Sequence, residues 1–449
     1  MKTFKKSLAI LLAVVLTFGS AVFMASAEDT LWGSNADQIF IFDQEAKTLT
    51  IKGAGTLTNS TGWIGKYNLD DSTKVKTIVI DGPSAIGSSV FEDFKYTTKV
   101  DFKNTIEIGT SAFEGCTSLK AIANSKNMTE IANSAFKGCT SLDTVVLADG
   151  IDLGASAFAG CTSLEDINLS KVDSIGASAF AGCTSLEAIS VNTLAVSAFS
   201  GCTKLEDITL GTAITEIPTS CFYGCKGLEE IELPKTLEVI KDSAFAACTS
   251  LEEIEIPAGI EEIADSTFAG CTGLETVEFA DKSKLALIGE EAFFGCTLLS
   301  EIVIPKTVKE IEDSAFANCS ALAKVNYDDK AECNIISTEI IGKEAFLNCA
   351  FTCVTLTSEV KEVGKRAFGY KAKGTKIEGF KIECEDETAG FTYAKDNGFY
   401  EEPASAFDVL LSYGKLAVNS IVAIAPSFVN IIKALIASIT DLIKNVSAK

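Results

Sequence analysis

The chain has 449 residues, of which 38 are basic, 61 acidic and none histidine, for a formal net charge of −23. The absence of histidine excludes a His general base, Ser–His and Cys–His nucleophile pairs, and His-ligated zinc or iron. The acidic excess argues against electrostatic binding to nucleic acid or an anionic membrane, and a single arginine, Arg366, leaves no Arg cluster for phosphate recognition.

Residues 1–27 read as a secretory signal peptide. Lys2, Lys5 and Lys6 form a positive n-region, Leu8 to Val22 an apolar stretch, and Ala25-Ser26-Ala27 a small-residue cleavage site before Glu28. Removing it leaves 35 basic against 61 acidic residues, a net of −26. The expected location is therefore outside the cell, secreted or at the cell surface. Fifteen cysteines in an exported chain would ordinarily imply a disulfide framework, but their placement points elsewhere.

Internal repetition decides the architecture. The segment Ala112-Phe113-Glu114-Gly115-Cys116-Thr117-Ser118-Leu119 recurs at Phe136/Cys139, Phe158/Cys161, Phe180/Cys183, Phe199/Cys202 and Phe222/Cys225. It continues at Phe245/Cys248, Phe268/Cys271, Phe293/Cys296, Phe316/Cys319 and Phe346/Cys349. Spacing between cysteines is mostly 22 or 23 residues, with 19 before Cys202, 25 before Cys296 and 30 before Cys349. Phe91 and Phe368 mark degenerate copies at the two ends, where capping repeats belong.

One coil shows the physics. Ile254 and Ile256 alternate with Glu253 and Glu255, the period of a half-buried strand, and Pro257 stops it. Ile260 and Ile263 turn inward through a connecting arm, and Asp265 to Cys271 make a short turn carrying Phe268. The expected fold is a β-rich repeat solenoid with short parallel strands, one per coil. Each coil's apolar face is too small to stand alone, so neighbours must stack. The repeated cysteine is small, apolar and at ease in a core, which predicts a column of inert thiols. Four cysteines lie outside the column. Cys221 precedes Phe222 at a core position; Cys333 sits in the long coil, where a disulfide among Cys333, Cys349 and Cys353 is open; Cys384 lies beyond the array.

The unit running from Leu228-Glu229-Glu230-Ile231-Glu232-Leu233-Pro234 to Ser243-Ala244-Phe245 resembles the BspA-like (Treponema-type) leucine-rich repeat of bacterial surface proteins. The likeness extends from about Thr77 to Tyr370. It implies a leucine-rich-repeat array that binds or adheres, with no catalytic residues to carry over. Around the solenoid (77–370), residues 28–76 resemble the β-rich lead-in of such proteins. Residues 371–402, with Phe391 to Phe399, resemble their closing cap.

Function is then expected on the outward strand positions. These are small and mostly neutral in the first coils (Ala121, Ala123, Thr144, Val146, Ala188, Ser190) and acidic from Asp207 onward. Asp207, Glu230, Glu232, Glu253, Glu255, Glu278 and Glu301 form the candidate partner-binding stripe, suited to a basic ligand or a cation. Paired carboxylates can hydrolyse glycosides, but these recur periodically, mark no pocket and have no aromatic neighbours for stacking sugars. No catalytic residue, cofactor or metal set is expected. Leu233-Pro234-Lys235-Thr236 imitates a cell-wall sorting signal, but it lacks the following Gly, lies mid-chain and recurs as Ile304-Pro305-Lys306-Thr307.

In residues 403–449, Phe428, Ile432, Leu435, Ile439, Leu442 and Val446 follow helical spacing, predicting a C-terminal amphipathic helix. It could dock on the solenoid, contact a membrane peripherally or self-associate; Pro426, Asn430 and Lys433 interrupt it as a spanning segment. The favoured reading is a non-enzymatic binding or adhesion protein for an extracellular protein or glycan. The alternative is a structural surface or matrix component, calcium-linked, without a single partner.

Overall fold

A computed structural model describes residues 29–34, 38–58, 75–123, 125–326, 333–400 and 436–439. The expected signal peptide and nearly all of the expected tail helix lie outside these residues. Among the described residues, no helix is long and apolar enough to cross a membrane. The chain divides into two compact units, Met1–Gly390 and Phe391–Lys449.

The first unit is a β-solenoid. Two antiparallel pairings open it: Asp29–Ser34 with Gln38–Asp43, and Gln38–Asp43 with Thr48–Gly53. From there the ladder is parallel, through Thr77–Asp81, Lys99–Phe102, Ala121–Ala123, Thr144–Val145 and Asp166–Ile167. The parallel register thus begins upstream of Thr77, inside the lead-in. At the far end Lys381–Cys384 still pairs in parallel with Cys353–Leu356. Alternation is as the residues dictate: Ile254 and Ile256 are buried, Glu253 and Glu255 exposed, and the strand ends before Pro257.

Each coil holds more regular structure than one strand. A second parallel ladder of two-residue strands runs along the connecting arm. It comprises Thr56–Leu57, Ala85–Ile86, Glu107–Ile108, Glu130–Ile131, Asp152–Leu153 and Ser174–Ile175 in one sheet. Glu262–Ile263, Leu287–Ile288, Glu310–Ile311, Ile340–Ile341 and Glu362–Val363 form another. In nearly every member the second residue is buried and the first is exposed or half-buried, so Ile263 reaches the core from a strand and not from a loop.

The Phe arm closes the coil with a third set of inter-coil bonds, made without β-strands. The amides of Ser134, Phe136 and Gly138 donate to the carbonyls of Ala155, Ala157 and Ala159 in the next coil, each at 2.8 Å. The amides between them turn back within the coil, Lys137 to Ser134 and Cys139 to Phe136, at 3.1 Å. Two left-handed residues flank this segment, Ser134 at φ 56° and Gly138 at φ 72°. The same pair recurs coil after coil, as in Ser178 (57°) with Gly182 (74°) and Ser266 (55°) with Gly270 (73°). The arm's backbone polar groups therefore find partners without a regular sheet.

Inside, thirteen phenylalanines from Phe91 to Phe368 stack into one column. Neighbouring ring centroids lie 5.1–5.8 Å apart with planes within 17° of parallel. Beside it runs the cysteine column, buried from Cys116 to Cys349. Each thiol donates to the carbonyl of the Phe one coil back, for example Cys139 to Phe113 at 3.3 Å, Cys248 to Phe222 at 3.1 Å and Cys319 to Phe293 at 3.0 Å. The thiols are thus inert core groups with a structural bond.

In the second unit, the helix Ala389–Asp396 continues across Gly390 and carries Phe391, whose ring meets Tyr400 edge-on at 4.9 Å. Lys395 lies 5.7 Å over the Phe391 ring. Of the expected tail helix, the described residues 436–439 are helical.

Candidate binding face

All seven acidic residues expected on the outward face are exposed. Their side chains stand there because the strand period sends Ile208, Ile231, Ile254, Val277 and Ile302 the other way. Asp207, Glu230, Glu232, Glu253, Glu255 and Glu278 line one open hollow of about 980 Å³, which Glu206, Asp281 and Lys235 also line. Glu255 is directly opposite Glu278 in register, whereas Glu253 faces Thr276. Among the described residues none of these six makes an ion pair, while Glu301 meets Lys324 at 3.5 Å and belongs to the neighbouring hollow with Glu278. The seven therefore separate into six uncompensated carboxylates in one depression and a neutralised one beside it.

The hollow coincides with an opening in the sheet. Glu230–Leu233 keeps its alternation, Glu230 and Glu232 outward and Ile231 and Leu233 buried, yet forms no strand between Asp207–Leu210 and Glu253–Ile256. Glu252 N–H to Glu229 C=O, at 2.9 Å, is the inter-coil bond beside it. Acidic outward positions come in succession here, and like charges opposed across strands disfavour pairing, yet Glu255 and Glu278 keep their paired register and the ladder also breaks between Asp166–Ile167 and Ala188–Val191. Val303, 72% exposed, ends the stripe as an apolar residue on the same face.

A second acidic group lies on the connecting-arm ladder, where the sequence pattern does not reveal it. The Glu290 amide donates both to Asp265 Oδ1 at 2.9 Å and to Glu312 Oε2 at 3.0 Å. Partial burial, and then the nearby Asp265 carboxylate, push the Glu312 carboxyl above its ordinary range. Its signal is the acidic residue just after successive second strands, invisible until those strands are known.

The thiols divide sharply. Burial pushes Cys183 and Cys271 up to about 12, far from the thiolate form that reacts or binds metal. Of the three cysteines open to pairing, Cys333 and Cys353 form the disulfide, across neighbouring parallel strands with Cα atoms 4.9 Å apart, while Cys349 keeps its place in the thiol column. Glu383, exposed on the next strand, brings a carboxylate oxygen within 4.8 Å of both sulfurs. Spacing alone fixes neither the pairing nor this neighbour.

Residues 84–195, 188–298 and 331–389 match the BspA type leucine rich repeat region, in six copies. The chain belongs to this family. No curated protein matches it. Among solved structures, it is similar to a leucine-rich repeat protein from Bacteroides ovatus at 25% identity, over 79% of this chain and 100% of that one, with a TM-score of 0.47. It is also similar to a leucine rich cell surface protein from Faecalibacterium prausnitzii at 20% identity, over 83% and 98%, with a TM-score of 0.39.

Proposed function

We propose that this BspA-type repeat protein acts outside the cell as a non-enzymatic binding or adhesion protein, and that its outward strand face takes a basic segment of an extracellular ligand. The observation that carries this is that six carboxylates, from Asp207 to Glu278, line one open hollow and make no ion pair among the described residues. A solenoid offers such a face because its coils are held by inward side chains and backbone bonds, leaving outward positions open to a partner. Open and polar, the hollow suits a chain laid across several coils better than an enclosed small molecule.

The test is quantitative binding of a lysine-rich peptide and a neutral peptide of equal length to the purified protein across a salt series. The parent is expected to bind the basic peptide saturably and more weakly as salt rises. Glu230→Gln, Glu232→Gln, Glu253→Gln and Glu255→Gln combined should weaken it roughly tenfold or more, about 1.4 kcal/mol. Equal binding of the two peptides, or an unchanged affinity in the quadruple variant, would remove the basis for this reading.

A further inference from the structure

We propose that the cross-strand pair Cys333 and Cys353, once reduced, forms with Glu383 a site for a thiophilic divalent cation of the zinc class, so that the disulfide is the closed state of a redox-gated metal site.

Three adjacent strands build it: Asn334–Ile336, immediately preceded by Cys333, then Cys353–Leu356, then Lys381–Cys384. The two sulfurs and a Glu383 oxygen already lie within 4.8 Å of one another. Tetrahedral zinc places two thiolate sulfurs about 3.8 Å apart, and a sulfur and a carboxylate oxygen about 3.6 Å apart, given bonds of about 2.3 and 2.1 Å. Opening the S–S bond lets the sulfurs separate to that spacing by side-chain rotation, with the backbone register unchanged. Glu383 is held for the task, because Thr355 Oγ1 donates to its Oε2 at 2.9 Å from the strand between. Outer partners of this kind orient a ligating carboxylate. Glu383 is exposed, so water has access to complete the coordination.

The chemistry balances with a dithiol as reductant. It supplies two electrons and two protons, the Cys333–Cys353 bond breaks to two thiols, and the dithiol closes to its own disulfide. Metal binding then releases the two thiol protons to solvent. The eleven column thiols do not compete. Each is buried and donates its S–H to a backbone carbonyl, and they form a line, not a convergent set.

The experiment uses the full chain, reduced with dithiothreitol, desalted under anaerobic conditions and titrated with Co2+ alone, then with Zn2+. One equivalent of Co2+ should produce a thiolate-to-cobalt charge-transfer band that Zn2+ abolishes, and the oxidised chain should produce none. Cys353→Ser should eliminate the band and Cys384→Ser should leave it unchanged. Glu383→Gln should weaken binding roughly tenfold or more, since losing a ligand costs at least what losing an outer partner does. Glu383 is exposed, so this variant tests the site without disturbing the core, with circular dichroism as the check. No band in the reduced chain, equal binding before and after reduction, a band that survives Cys353→Ser, or undiminished affinity in Glu383→Gln would each overturn the proposal.

Discussion

Phe222 is the seventh of the thirteen stacked rings and has no exposed surface, so its truncation interrogates the column at its centre. Phe222→Ala removes ring contacts on both faces, with Phe199 at 5.8 Å and Phe245 at 5.6 Å, and leaves a void between two coils. Burying a Phe contributes about 3–5 kcal/mol against Ala when the cavity does not collapse. Here collapse is opposed by backbone bonds of the Phe arm, from Phe199 N–H to Cys221 C=O and from Phe222 N–H to Ala244 C=O at 2.9 Å each, and by the pairing of Glu216–Ile217 with Val239–Ile240 on the connecting arm. The expected loss therefore lies near the upper end of that range, with about 0.5–1.5 kcal/mol of it from each ring pair. Phe222→Leu, which fills much of the volume without stacking, should lose clearly less. The assay is urea unfolding followed by circular dichroism, with midpoint and slope both fitted. Because a solenoid's stability is a sum of coil and interface contributions, the void should also lower the cooperativity, broadening the transition or splitting it. A loss below about 1 kcal/mol with an unchanged slope would refute the claim that the column is a principal source of stability.

Two further outcomes follow from the Phe arm and the thiols. Ser178 sits at φ 57°, so Ser178→Gly should leave stability within about 1 kcal/mol of the parent. Ser178→Val should cost about 1–2 kcal/mol more than the Gly variant by urea midpoint, and equal midpoints would show that the left-handed position is unimportant. Buried Cys183 and Cys271 are pushed from an ordinary 9.0 to about 12. The folded chain therefore keeps protons that the unfolded chain sheds between those values, and stability should hold below pH 9 and fall as pH rises above it. Under reducing conditions, Cys183→Ala with Cys271→Ala should flatten that decline between pH 8 and about 10.5; parallel curves would contradict it.

The repeat and its inner face are legible in the sequence because each repeat buries the same side chains, Phe, Cys, Leu and Ile, at fixed spacing. The acidic outward residues are legible for a related reason, since a four-residue strand such as Glu253–Ile256 is long enough for its period to appear. Glu262–Ile263 is not: two residues cannot display an alternation, so the second ladder reads as a loop. Glu230–Leu233 shows the opposite failure. Its pattern is that of a strand and its burial follows, but hydrogen bonding depends on the distance to neighbouring coils, which no single segment encodes. The column cysteines are core, as their spacing predicts, yet their bond to the preceding Phe carbonyl depends on the neighbouring backbone. Spacing narrows the disulfide to three cysteines, and register decides it by setting Cys333 beside Cys353 and leaving Cys349 in the column.

These separate causes explain why one fold tolerates so varied a surface. The Phe stack, the thiol bonds, the Leu and Ile positions and the three backbone ladders use inward side chains or the main chain. Outward strand side chains contribute to none of them, so Ala121 and Ala123 in one coil and Glu253 and Glu255 in another occupy equivalent places on parallel-paired strands. At Glu230–Leu233, among successive acidic outward positions, the segment forms no strand while Ile231 and Leu233 stay buried in the core. Repulsion among these carboxylates is a cost that the inner column absorbs. A bound cationic segment would offset it. Ligand binding and sheet closure should accordingly be coupled in this stretch, and protection of the Ile231 and Leu233 amides from hydrogen exchange should rise when a basic peptide occupies the hollow.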